Sequence, residues 1–115
     1  MNEKISLKNL LVERRTAEEK LELFALLHLG VLDSLNHGVL SASQAIHLFY
    51  HAENGLFVRQ QLQHPTADEM MSRGIQLPDL FDTLPAEEAQ QEFQRELTKL
   101  HALSLSLLEK QLIPA

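Results

Sequence analysis

Apolar residues recur along this chain at intervals of three and four, the period of a helix that turns one side to a core. In residues 86–112 the stripe runs through Ala86, Ala89, Phe93, Leu97, Leu100, Leu103, Leu107 and Leu108, with no Gly or Pro to interrupt it. Pro85 suits a helix start, Glu87 and Glu88 stand at the positive helix end, and Lys110 stands near the negative one. The pattern predicts one long helix. Ala86, Phe93, Leu100 and Leu107 are spaced by seven, but Glu96 breaks the second heptad position, which favours an intramolecular core over a zipper.

A second long helix is predicted over residues 17–37. Thr16-Ala-Glu-Glu19 has the form of a capping box, the Thr16 hydroxyl accepting from the Glu19 amide and the Glu19 side chain reaching back to the Thr16 amide. Gly38 supplies the left-handed residue that ends helices. Leu21, Phe24, Leu27, Val31, Leu32 and Leu35 make one face, while Leu23, Leu26 and Leu29 make the opposite one. A helix apolar almost all round must be covered on both sides, here by the short central helices or by a partner. Gly30 lies beside Leu23 and Leu26; glycine inside a helix costs about 1 kcal/mol against alanine, which close approach by another backbone would offset. Leu23, Leu26, Leu29 and Gly30 are therefore the candidate partner or dimer face.

Shorter elements fill the middle. Ser41-Ala-Ser-Gln44 is a second capping box, opening a helix over residues 42–53 that Asn54-Gly55 closes. Residues 56–62 form another, ended by His64-Pro65 because proline pushes its predecessor out of the helical region. Thr66-Ala-Asp-Glu69 is a third capping box, with Gly74 as its stop, and Pro78 takes the first position of a single turn at 79–83. Among residues 1–15, Leu7, Leu10 and Leu11 fit a helix while Ile5, Leu7 and Asn9 fit a strand; a short helix is preferred. The expected fold is all-α: one domain over residues 1–115, a small helical bundle with two long helices and short helices between them.

Composition narrows this further. A chain of 115 residues suits one core, and with 44% hydrophobic residues, 5% aromatics and no Trp, leucine must fill it. The absence of Cys excludes a disulfide framework, a thiolate metal site and a cysteine nucleophile, and points to a reducing cytoplasm. Residues 1–8 mix charge with apolar side chains, unlike a secretory signal, and the longest mostly apolar run, residues 23–32, is too short to span a membrane. The expectation is a soluble cytoplasmic protein. Net charge is −6, and between residues 21 and 94 only Arg59 and Arg73 are basic. Phosphate backbones and anionic membrane surfaces require clustered Lys and Arg, so the expected partner is a protein, either a basic one or a second copy of this chain.

Candidate chemistry is sparse. His47 and His51 have the i, i+4 spacing that can place two imidazoles on one metal ion, but no Glu follows His47 and no third ligand is near. Solvent-facing histidines, opposite the stripe of Ala42, Ala45, Ile46, Phe49 and Ala52, are the simpler expectation. His28 projects from the Leu21, Phe24, Val31, Leu35 face, where a neutral, hydrogen-bonded imidazole is the usual solution to burial. Asp33 lies on another face of the same helix. The paired acids Glu18/Glu19, Asp68/Glu69 and Glu87/Glu88 all serve first helical turns. No glycine-rich phosphate loop, nucleophile elbow or calcium loop occurs. A helix-turn-helix is rejected because its recognition helix at 56–62 would carry only Arg59.

The stretch Leu26-Leu-His-Leu-Gly30-Val-Leu-Asp-Ser-Leu-Asn-His-Gly38-Val-Leu-Ser41, with Ala45, Phe49 and the later Gly74-Ile-Gln-Leu-Pro-Asp-Leu80, resembles a family of small bacterial proteins of unknown function. The resemblance implies a bacterial source and carries no activity, cofactor or site residue. Two functions stand as alternatives. One is a non-enzymatic protein-interaction module, homodimeric or binding a basic protein through the Leu23, Leu26, Leu29, Gly30 face, without cofactor or catalytic residue. The other is a small metal-binding protein or enzyme using His28 or the pair His47 and His51.

Overall fold

The computed structural model describes residues 4–112, with side chains through Lys110, and every regular element in them is helical. In order these are α1 (Leu7–Leu11), α2 (Ala17–Asn36), α3 (Ala42–Leu48), α4 (Ala52–Phe57), α5 (Pro65–Ile75), α6 (Asp79–Thr83) and α7 (Ala86–Leu112). A π-helical turn, Val58–Leu62, continues α4 and is closed by Gln63 in the left-handed region at φ 48°. Residues 1–3, part of the stretch read as lacking a signal, and residues 113–115 of the single-domain span lie outside the described residues.

The two long helices pack antiparallel. His28 of α2 meets Ser104 of α7, while Asn36 and Gln94 line one hollow nearer the other end. Leu21, Phe24, Ala25, Val31, Leu32 and Leu35 are buried on α2, and Ala89, Phe93, Leu97, Leu100 and Leu107 on α7. Ala86, expected on that stripe, is exposed. Among the described residues, no helix is long and apolar enough to cross a membrane.

Local capping chemistry accounts for both long helices. The Thr16 hydroxyl accepts from the Glu19 amide at 3.1 Å, although the Glu19 carboxylate accepts from the Arg15 amide rather than from Thr16. His37 caps the C-terminal end of α2, and Gly38 follows at φ 73°. The box at Ser41 and Gln44 is complete, with both reciprocal bonds present at 3.1 and 2.8 Å.

The middle of the chain departs from its sequence signals. The helix expected over 42–53 stops at Leu48, Phe49 and Tyr50 turn inward, and α4 passes straight through Asn54 and Gly55. Asn54 has tertiary partners instead of a capping role. Its Nδ2 donates to the carbonyls of Ile5 at 2.9 Å and Phe49 at 2.7 Å, and its Oδ1 accepts from the Leu7 amide at 3.0 Å. With the His51 Nε2–H, which shares the Ile5 carbonyl at 3.0 Å, the Asn54 side chain fastens the start of α1 to α4. Asn54→Ala strands the buried Leu7 amide and should lower stability by about 2 kcal/mol, measured by urea denaturation, with loss of exchange protection at that amide. An unchanged midpoint would dismiss the fastening.

The third capping box fails as well. Helix α5 begins at Pro65, whose missing amide hydrogen costs nothing at a first helical position, and the His64 Nδ1 accepts from the Thr66 amide at 3.2 Å. Gly74 stands one residue before the end of α5 at Ile75, close to the expected stop, and Pro78 caps α6 rather than entering it.

Gly30 sits in the interior of α2 with open space around it, because a Cβ built there meets nothing within 4 Å. The close backbone approach expected at this glycine is not made within the chain. Gly30→Ala should therefore raise the free protein's stability by about 1 kcal/mol, and a thermal melt checks it.

Candidate functional site

Two places are candidates for a functional site: a buried polar cluster between α2 and α7, and the partly uncovered side of α2. The cluster begins with His28, fully buried midway along α2. Its ring lies among Phe24, Phe49 and Tyr50, with centroids 6.1, 5.5 and 5.5 Å away. Nδ1 is 2.8 Å from Ser104 Oγ and Nε2 is 2.6 Å from the Tyr50 hydroxyl. Ser104 in turn donates to the Leu100 carbonyl at 2.8 Å. That bond uses the serine proton, so His28 Nδ1–H must donate to Ser104 and Nε2 must accept from Tyr50. Every proton in the chain is committed, from Tyr50 through His28 and Ser104 to the Leu100 carbonyl.

The direction of these bonds decides what the cluster can do. A serine is activated when its hydroxyl donates to a basic imidazole nitrogen. Here Ser104 accepts from His28 and gives its proton to the backbone, so the bonding is the reverse of an activated nucleophile. Burial lowers the His28 pKa from 6.5 to about 3 and raises that of Tyr50, keeping both neutral. His28 and Ser104 line none of the hollows described below. The cluster holds helices in register. Asp33, the nearest acid in sequence, faces His37 at 3.3 Å on the exposed side.

The histidine pair is separated. His47 is exposed on α3, whereas His51 precedes α4, is 8% exposed, and its Nε2–H donates to the Ile5 carbonyl at 3.0 Å. The expectation that both face solvent is corrected for His51: the helix ends before it, and the i, i+4 geometry is lost with it. Among the described residues, no group of three or more His, Asp and Glu could hold a metal ion.

Sequence reasoning missed Ser104, Tyr50, Asn54 and Gly74. Ser104 did leave a signal, as a hydroxyl in the middle of the stripe formed by Leu97, Leu100 and Leu107, matching His28 in the middle of the other stripe. Two polar residues at the centres of two apolar faces have each other as natural partners.

The predicted face of α2 is only partly covered. Leu23 and Leu29 are half-buried, Leu26 is 47% exposed and Gly30 is exposed. Hollows flank the ridge on both sides. One, of about 240 Å³, runs against α7 past Leu29, Leu97 and His101; the other, of about 300 Å³, runs past Leu26, Gly30, Leu40 and Leu48.

Comparison with protein-family models, curated proteins and solved structures finds no match. Surface chemistry is then the ground for a functional reading. A wider hollow of about 730 Å³ between α1 and α4 sets Val12, Leu56 and Phe57 among Lys8, Lys20, Glu53, Gln60 and Gln61, with charges of both signs. Arg73, one of two basic residues between positions 21 and 94, is occupied by Glu69 at 2.7 Å and Glu96 at 3.2 Å, which also raise its pKa.

Proposed function

We propose that this chain is a non-enzymatic protein-interaction module of a bacterial cytoplasm, and that it docks a protein partner on the uncovered side of α2. The observation that carries the reading is Leu26, 47% exposed in the middle of a long helix, with the open Gly30 one turn on and a hollow on either flank. A large side chain on a ridge between two grooves is the form that helix-in-groove and ridge-in-groove docking use. The inward direction of the His28 bonds and the separation of His47 from His51 favour the interaction reading over the enzyme and metal alternatives.

A photo-crosslinking residue at position 26, in cells that make the protein, should capture a partner that the same residue at Asp68 does not. The purified partner should then bind the wild type and lose at least about tenfold affinity for Leu26→Asp, a surface change that spares the fold. Equal capture at both positions, or equal affinity for the variant, sinks the reading.

A further inference from the structure

We infer that the occupant of the α2 face is a cationic amphipathic helix of another protein and not a second copy of this chain, an inference that rests on the docking reading above. Glu19 and Asp33 stand seven residues before and after Leu26. At 100° per residue both fall within about 20° of the Leu26 direction, and at 1.5 Å per residue each lies about 10 Å from it along the axis. Glu22 shares this side, on the flank of Leu29. The face is thus an apolar centre with a carboxylate at either end, Glu19 accepting from the Arg15 amide and Asp33 in an exposed pair with His37 that a partner's cation can displace. Lys20, the single basic side chain of α2 besides its histidine, lines the hollow between α1 and α4 instead.

Self-pairing conflicts with this layout. Two α2 helices packed antiparallel about Leu26 would set Glu19 of one copy opposite Asp33 of the other, twice. Packed parallel, they would set each carboxylate against its own counterpart. Like charges facing each other across an interface oppose association and suppress the wrong partner. A helix with an apolar residue between two cations, each seven positions away, meets Leu26 and both carboxylates together. Gly30, lacking a Cβ, lets a large partner side chain settle beside Leu26.

The test uses the full chain, isotopically labelled, titrated with a helical peptide of about 20 residues bearing leucines on one face. One version carries Arg seven positions before and after its central Leu, and a second carries Glu at those places. The Arg peptide should shift the amides of residues 19–33 and bind at least about tenfold more tightly than the Glu peptide, with the margin shrinking as salt is added. Asp33→Lys should cancel most of the margin while leaving the unbound spectrum native. Equal binding of both peptides at this face would overturn the cationic partner yet keep the docking face. A concentration-dependent dimer with α2 amides broadened would assign the face to a second copy, which also overturns the inference. A monomer whose α2 amides respond to neither peptide would remove inference and docking reading together.

Discussion

Replacing Gly74 with alanine is expected to lower stability by about 3 kcal/mol, although alanine is the better helix former. Gly74 lies buried inside α5, and a Cβ there overlaps the Tyr50 ring carbons Cδ1, Cε1 and Cζ. The ring cannot move aside freely, since its hydroxyl is bonded to His28 at 2.6 Å and its edge rests against Phe49 with centroids 5.4 Å apart. Displacing it opens the His28 cluster as well as the packing of α5. Tyr50 is the only tyrosine and there is no Trp, so intrinsic fluorescence reports on this ring alone. Urea denaturation followed by that signal should show an earlier midpoint and an altered native baseline. A double-mutant cycle identifies the cause. In a Tyr50→Leu background, where the rigid ring and its fluorescence are gone and circular dichroism follows unfolding, Gly74→Ala should cost little or become favourable, so the two changes should be strongly non-additive. Additive losses would mean that Gly74 matters for some reason other than the ring above it.

Acid is expected to unfold the protein through His28. Burial lowers its pKa from 6.5 to about 3, because the imidazolium would lose water and meet only the neutral hydroxyls of Ser104 and Tyr50. The unfolded chain binds a proton at this site near pH 6.5 and the folded chain near pH 3, so between those values the unfolded state holds one proton more. Stability is therefore full above the unfolded pKa and falls as pH drops, by about 1.4 kcal/mol per pH unit, for about 5 kcal/mol across the window. That is comparable to the whole stability of many small domains. His28→Gln removes the titrating group and keeps a polar side chain. Its stability should be lower at pH 7 but much flatter between pH 6.5 and 4, and the difference between the two profiles cancels the carboxylates they share. Parallel profiles would mean that His28 is not held neutral by the fold.

These two residues illustrate what local sequence chemistry reaches. Helix ends that depend on neighbours in sequence were legible: Thr16 with Glu19, Ser41 with Gln44, Gly38, and the Gly-free and Pro-free run of α7. Between residues 48 and 62 the same residue types mislead, because Asn54 and Gly55 look like helix terminators and are helix interior. Asn54 is kept in α4 by two bonds to distant backbone, at Ile5 and Leu7, and a third to the Phe49 carbonyl, and Gly74 is needed where an aromatic ring crosses its helix. Such demands come from segments that meet only after folding.

The sequence by itself determined that the chain is helical, that its two long helices fall near residues 17–37 and 86–112, and that the first is apolar on two sides. Periodicity and capping operate within a turn or two of chain, so one sequence is enough to read them. Tertiary structure alone decided that His28 meets Ser104 and Tyr50, which requires the antiparallel register of α2 against α7 and the inward turn at residues 49 and 50. It also decided which leucine of the second face stays in water. Leu23 and Leu29 gain partial cover from neighbouring elements, while Leu26 points between two hollows, and that position depends on how far apart the flanking helices sit, a distance set by packing.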